Sequence, residues 1–264
     1  MNKKDITSSF NNIVNHEFTK EVFQDSVPVV KDISVPGTIT KVAAQYKRDL
    51  DINETYLLNV GNRLSHLLIM CEQLRHIPYY LLSFCPTKTM KDVGVNRHNH
   101  ILLFIEDYIV RTQSLYDRTL QLVNVVFNIY DSPNLIGHNL VITNAHVRNS
   151  KLPPVIKKLK KITDKYYKDR LNIIHKECYQ DDDLRYLELL SIVSSTKDDQ
   201  NIKEDLKFYS RDYVNKKAKE FLCLNKEIYS TLFQIFDVLK DRYEEQKLEY
   251  RILYKAKSTL PSKA

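Results

Sequence analysis

The sequence predicts an all-α protein, and three observations carry that expectation. Apolar residues recur with the 3.6-residue period of a helix almost everywhere. Only four of the 264 residues are glycine, too few for a fold built on tight β-turns. No stretch shows the strict alternation of a half-buried strand. At 43% hydrophobic and 28% charged residues the chain has an ordinary globular balance and is long enough to bury a sizeable core.

In chain order, Ser8 or Ser9 is placed to cap a first helix carrying Phe10, Ile13, Val14 and Phe18. Pro28, Pro36 and Gly37 mark a loop after it, and Thr40 to Leu50 reads as helical. Asn53 is placed to cap a stronger helix, with Leu57, Val60, Leu64, Leu67, Leu68 and Cys71 on one stripe, ending near Pro78. Pro86, Gly94 and the polar residues around Asn96 read as a linker. The expected organisation is therefore an N-terminal helical segment over 1–95, a helical bundle over 96–254 and a frayed tail over 255–264.

The segment from Asn99 to Tyr130 has the clearest period. Ile101, Ile105, Tyr108, Leu115, Leu122 and Val126 form a stripe widened by Phe104, Ile109, Val123 and Phe127, as expected of a helix packed inside a bundle. Asp107 and Arg111 have the spacing of an intrahelical ion pair. Asp131 to Asn134 is expected to stop this helix. Pro153-Pro154 opens the next, since proline fits a first turn, and Val155, Leu159, Ile162, Tyr166, Ile173 and Ile174 give it an apolar side through to Lys176. Asp181-Asp182-Asp183 reads as a capping turn before a helix from Leu184. Ser194-Ser195-Thr196 with Asp198-Asp199 reads as a second turn. The rest is helical to Leu253, with a possible break near Leu224-Asn225.

Several classes are excluded by what is missing. No Walker loop, dinucleotide fingerprint, zincin motif or nucleophile elbow is present. Cys71, Cys85, Cys178 and Cys223 lie far apart without metal or redox spacing, so they read as free thiols in a reducing cytoplasm. His98 and His100 have no third ligand at usable spacing. No apolar run approaches the ~20 residues that span a bilayer, and the polar start of the chain does not look like a signal peptide. Neither a metal nor another cofactor is implied.

Charge is the strongest functional signal. The net charge is +7, and the stretch from Lys151 to Gln180 holds nine basic residues against three acidic ones. Concentrated positive charge attracts phosphate. At the end of this basic stretch Arg170 precedes His175 by five positions. On an α-helix that places them ~140° apart and ~7.5 Å along the axis, within reach of one edge for a long arginine side chain. Asn172 lies three residues before His175 and is its surface neighbour. Arginine offers a permanent phosphate clamp and histidine a proton donor or acceptor near neutral pH. RNA cleavage by its own 2′-hydroxyl needs those two functions and no metal.

In this run, Arg170-Leu171-Asn172-Ile173-Ile174-His175, the chain resembles the HEPN superfamily, compact all-α domains of RNA-targeting toxins and defence nucleases. Their signature is an arginine followed, after four to six residues, by a histidine. The resemblance implies a metal-independent endoribonuclease, with Arg170, His175 and Asn172 catalytic. Lys157, Lys158, Lys160, Lys161, Lys165 and Lys168 would guide the RNA backbone. It further implies a homodimer that joins two motifs in one cleft, with the helix Pro153 to Lys176 near the axis, and an antitoxin or other regulatory protein as partner. The residue after the arginine is Leu171, where the family most often has a polar one. The alternative is therefore a HEPN-like module without catalysis that holds RNA or a partner protein.

Overall fold

A computed structural model describes residues 3–33, 49–130, 136–196 and 199–258. All its regular elements are helical, with no strand among the described residues. They are α1 (Lys3–Val14), α2 (Glu17–Ile33), α3 (Ile52–Leu82), α4 (Lys88–Asp92), α5 (Arg97–Phe127), α6 (His138–Thr143), α7 (Ala145–Arg148), α8 (Leu152–Thr163), a 3₁₀ turn (Asp164–Tyr166), α9 (Tyr167–His175), α10 (Asp182–Thr196) and α11 (Gln200–Ser258). Among the described residues no helix is long and apolar enough to cross a membrane.

The fold divides into two compact units, each assembled from separated stretches of chain. Unit 1 comprises residues 1–10, 70–116 and 160–229. Unit 2 comprises residues 11–69, 117–159 and 230–264. The long helices α3, α5 and α11 each contribute to both.

In unit 1 the core is built by Cys71, Leu74, Ile77 and Leu81 of α3, Ile101, Ile105, Tyr108 and Ile109 of α5, and Phe221, Leu224, Ile228 and Tyr229 of α11. Tyr108 and Phe221 stack with ring centroids 3.7 Å apart. Buried polar groups tie the three helices together. The Tyr108 hydroxyl lies 3.1 Å from the Phe221 carbonyl and 3.0 Å from Asn225 Oδ1 as donor. Asn225 Nδ2 donates to the Leu74 carbonyl at 2.9 Å, and the Tyr229 hydroxyl to the Cys71 carbonyl at 2.8 Å.

This arrangement explains two departures from the sequence expectation. The third helix does not stop near Pro78 but runs through it to Leu82. Proline has no N–H, so the Leu74 carbonyl four residues earlier loses its helical donor. The Asn225 carboxamide takes the vacant place. For the same reason α11 is unbroken at Leu224-Asn225. The Asn225 side chain is occupied by other helices and does not compete for its own backbone.

In unit 2, Ile13, Phe18 and Val22 pack with Leu57, Val60, Leu64 and Leu67 of α3, Leu122, Val123 and Val126 of α5, and Leu232, Phe236, Leu239 and Tyr243 of α11. Gly61 is required here, because a Cβ would lie 2.7 Å from Ser26 Oγ on α2. Asp25 accepts from the Tyr243 hydroxyl at 3.0 Å and from Lys247 Nζ at 2.7 Å.

Other boundaries differ from expectation. Ser8 and Ser9 lie inside α1 rather than capping it, and Phe18 belongs to α2. The break falls at Asn15-His16, where His16 Nδ1 accepts from the Phe18 N–H at 3.1 Å and does the capping. Pro28 sits within α2, exposed, where the missing donor faces water. The loop at Pro36-Gly37 and most of the helix expected from Thr40 to Leu50 lie outside the described residues; Asp49 and Leu50 themselves are not helical. Asp51, not Asn53, caps α3 through a reciprocal box: the Glu54 N–H donates to Asp51 Oδ1 at 2.7 Å and the Asp51 N–H to Glu54 Oε2 at 3.1 Å.

The linker around Asn96 holds the short α4, and Asn96 caps α5 by accepting from the Asn99 N–H at 2.8 Å. The expected stop at Asp131 to Asn134 lies outside the described residues, but α5 already ends at Phe127, with Asn128 left-handed at φ 50°. The turn expected at Ser194 to Thr196 is instead the end of α10, and Asp198 lies outside the described residues. Of the frayed tail expected over 255–264, residues 255–258 continue α11 and the rest lie outside the described residues.

The bond made in place of the one lost to Pro78 gives a stability prediction. Asn225→Ala strands the Leu74 carbonyl, and a buried unsatisfied group costs about 1–3 kcal/mol. Urea denaturation should register that loss. Adding Pro78→Ala should recover part of it, because the restored backbone N–H supplies the missing donor. Strict additivity of the two changes would contradict the account.

Candidate functional site

The basic stretch is not one helix from Pro153 to Lys176. It is α8, a 3₁₀ turn and α9. The break is fixed from both sides. Gln113 of α5 donates through Nε2 to the Thr163 carbonyl, Lys160 pairs with Asp164, and Tyr166 is buried at the turn.

Arg170, Asn172 and His175 all lie on α9. Arg170 and Asn172 are half-buried and His175 is exposed. Arg170 Nε is shielded from water and has no hydrogen-bond partner among the described residues. The Asn172 carbonyl accepts from the N–H groups of Lys176 and Glu177 at 2.8 and 3.0 Å and closes the helix. Helix spacing makes Asn172 and His175 neighbours, while Arg170 reaches them only by bending along the surface.

No residue of α9 is fully buried. The apolar side expected from Ile173 and Ile174 is therefore not a core face: Ile173 is half-buried and Ile174 exposed. Polar contacts hold the residues at both of its ends. Before it, the Tyr166 hydroxyl donates to Glu220 Oε1 at 2.7 Å, and Lys165 forms an ion pair with the same oxygen at 2.7 Å. After it, Tyr179 donates its backbone N–H to Glu106 Oε1 at 2.8 Å. Asp181 Oδ2 accepts from the hydroxyls of Tyr179 and Tyr213, both at 2.9 Å, and from Lys217 Nζ at 3.0 Å. Asp181 Oδ1 caps α10 through the Leu184 N–H at 2.8 Å, the capping role expected of the aspartate run.

Glu220, which anchors the entry, and Lys217, which anchors the exit, are one turn apart on α11, with Nζ 3.8 Å from the carboxylate. Local sequence patterns do not reveal them. An i,i+3 lysine–glutamate pair on a helix resembles any solvated face, and neither partner lies near α9 in the chain.

The predicted RNA-guiding lysines separate into two groups. Lys160 and Lys165 are paired with Asp164 and Glu220. Lys157, Lys158, Lys161 and Lys168 are exposed and have no ion-pair partner among the described residues. Among those residues, no three His, Cys, Asp or Glu side chains converge on a metal position. Unit 2 holds a cavity of 480 Å³ lined by Tyr56, Asn59, Arg63, Asn124, Tyr130 and Tyr250 among others. None of the predicted site residues lines it.

Ionisation in this clamp of Glu220, Lys217, Asp181, Tyr166 and Tyr179 follows from the contacts. Burial pushes the Glu220 carboxyl up, but hydrogen bonds from Lys165 and Tyr166 and the charge of Lys217 outweigh it, leaving it below its ordinary value. Asp181 is likewise lowered, with burial opposed by the Leu184 N–H and by Lys217 and Tyr179. Burial disfavours the Lys217 ammonium, yet Tyr179 and Asp181 hold its pKa above the ordinary value. Burial pushes the Tyr179 hydroxyl up to about 12. Lowered carboxyls stabilise the fold above their ordinary pKa and lose that contribution as pH falls through the lowered values; the raised lysine contributes up to alkaline pH. The clamp is therefore intact at neutral pH and should release only in acid, below the ordinary carboxylate range. With no tryptophan in the chain, near-ultraviolet circular dichroism is dominated by its 17 tyrosines, Tyr166, Tyr179 and Tyr213 among them. Their signal should fall in acid before the far-ultraviolet helical signal does.

No curated protein and no solved structure is significantly similar to the chain. The sequence profile of the HEPN_Cthe2314-like HEPN family matches residues 56–240, from the first turns of α3 to the middle of α11 and across all of α5, α8 and α9. With an all-helical fold and the arginine–histidine pair on one exposed helix inside the matched region, the chain is a member of the HEPN superfamily.

Proposed function

We propose that the protein is a metal-independent endoribonuclease of toxin or defence type, acting in the cytoplasm as a homodimer whose two α9 helices share one cleft. The observation that carries this reading is His175, exposed at the C-terminal end of α9, in a stretch whose Lys157, Lys158, Lys161 and Lys168 have no ion-pair partner among the described residues. His175 acts as general base or acid on the 2′-hydroxyl or the leaving 5′-oxygen. Arg170 stabilises the charge that develops on the phosphate. Asn172 orients the imidazole. Lys157, Lys158, Lys161 and Lys168 hold the RNA backbone, while Lys160 and Lys165 are committed within the chain. An antitoxin or other regulatory protein would control such an activity.

Leu171 favours a second reading. A leucine directly after the arginine, half-buried, removes the polar group that usually stands there. A module that binds RNA or a partner protein without cutting would keep the lysines and have no use for that group.

Cleavage assays distinguish the two. His175→Ala and Arg170→Ala should each lower RNA cleavage ~10²–10³-fold or more with the fold intact, and Asn172→Ala should cost less. Activity should survive EDTA, and the products should end in 2′,3′-cyclic phosphate. Full activity in the His175 variant, or loss of activity on chelation, would leave the binding module as the better reading.

Binding has its own test. Lys157→Ala with Lys161→Ala should weaken RNA affinity and flatten its salt dependence, since each free lysine that meets a phosphate contributes to counterion release. Lys160→Ala with Lys165→Ala should flatten it less, because those two charges already face carboxylates. Light scattering at high concentration should report a dimer; a monomer would count against the shared cleft.

A further inference from the structure

The geometry points to Lys217 and Glu220 as positioning residues that set α9 from both of its ends. Their effect on RNA chemistry rests on the reading above, but the positioning itself does not.

Three observations carry the inference. First, α9 contributes no fully buried residue, so side-chain packing alone defines its placement poorly. Second, the residues flanking it are well fixed. Tyr166, immediately before α9, is 5% exposed, and Tyr179, in the loop after it, is 7% exposed. Third, the side chains that fix them converge on one turn of α11. Glu220 takes the Tyr166 hydroxyl and the Lys165 ammonium. Lys217 Nζ lies 2.9 Å from the Tyr179 hydroxyl and 3.0 Å from Asp181 Oδ2. The pair is near enough, at 3.8 Å, for each charge to hold the other in place.

Lys217 also lies 5.3 and 5.7 Å from the ring centres of Tyr179 and Tyr213. Its charge thus faces two aromatic rings and two carboxylates in a half-buried setting, where such contacts are stronger than in water. Glu106 of α5 adds a hold on the Tyr179 backbone. The helix bearing Arg170, Asn172 and His175 is thereby suspended between two polar anchors. A shift of either anchor moves the arginine and the histidine without touching them.

Hydrogen exchange on the full chain tests this directly. In Lys217→Met, the amides of α9 and of the loop from Lys176 to Gln180 should exchange faster by about tenfold, the worth of one net hydrogen bond to a charged group. The buried amides of α5 near Tyr108 should not change. Lys217→Arg should restore most of the protection. Glu220→Gln should loosen the entry end, near Lys168, more than the exit. Tyr179→Phe, which keeps the ring and removes one hydroxyl, serves as a milder variant if Lys217→Met folds poorly.

The histidine gives a second readout. Its ring resonance in a carbon–proton NMR spectrum should move in Lys217→Met and return in Lys217→Arg. If wild-type protein cleaves RNA, Lys217→Met should lower kcat with little change in KM. If it does not cleave, the ribonuclease reading fails, while exchange and the His175 resonance still decide the positioning. Unchanged α9 exchange in folded variants, or a loss of protection spread evenly over α5 and α9, would overturn the proposal.

Discussion

A proline inside a buried helix leaves a carbonyl without a donor, and the organisation of unit 1 follows from how that group is satisfied. Pro78 deprives the Leu74 carbonyl of its helical bond, and Asn225 restores it from α11. The same carboxamide offers its oxygen to Tyr108 of α5. One side chain thus joins three helices, and it can do so in only one rotation and one register of α11. Apolar packing alone is more forgiving, since large side chains tolerate shifts that a hydrogen bond does not.

That fixed register also places the clamp. Lys217, Phe221 and Asn225 follow each other at steps of four along α11, with Glu220 beside Phe221. The stripe that stacks on Tyr108 continues, one turn towards the N-terminus, into the residues that hold α9. The apolar part of this stripe supplies cohesion and the polar part supplies placement. On the proposed reading α9 presents arginine and histidine to RNA, and a helix in that role cannot bury much of itself. Anchoring through its flanks resolves that conflict.

Electrostatics makes a similar division. Acidic partners on the chain itself occupy Lys160 and Lys165, which strengthens the break between α8 and α9 and the entry to α9. Lys157, Lys158, Lys161 and Lys168 remain on the surface. On the proposed reading these pairs also decide which charges are left for a phosphate chain. A count of basic residues cannot make that distinction.

The sequence by itself determined the helical class, the stripe of α5 from Ile101 to Phe127, the Asp107–Arg111 pair that forms at 2.7 Å, the capping role of Asp181 and the arginine–histidine motif, because each is written in spacings of a few residues. It misplaced the ends at Pro78, at Leu224-Asn225 and at Thr163–Tyr166. Those ends depend on groups far along the chain: Asn225 for Leu74, Tyr108 for Asn225, Gln113 for Thr163. Only the tertiary structure brought Glu220 and Lys217 to the residues on either side of α9. Helical periodicity shows which side of a helix is apolar. Whether that side finds a neighbour, and which polar partner waits at each end, is settled by contacts between residues tens of positions apart, which local patterns do not encode.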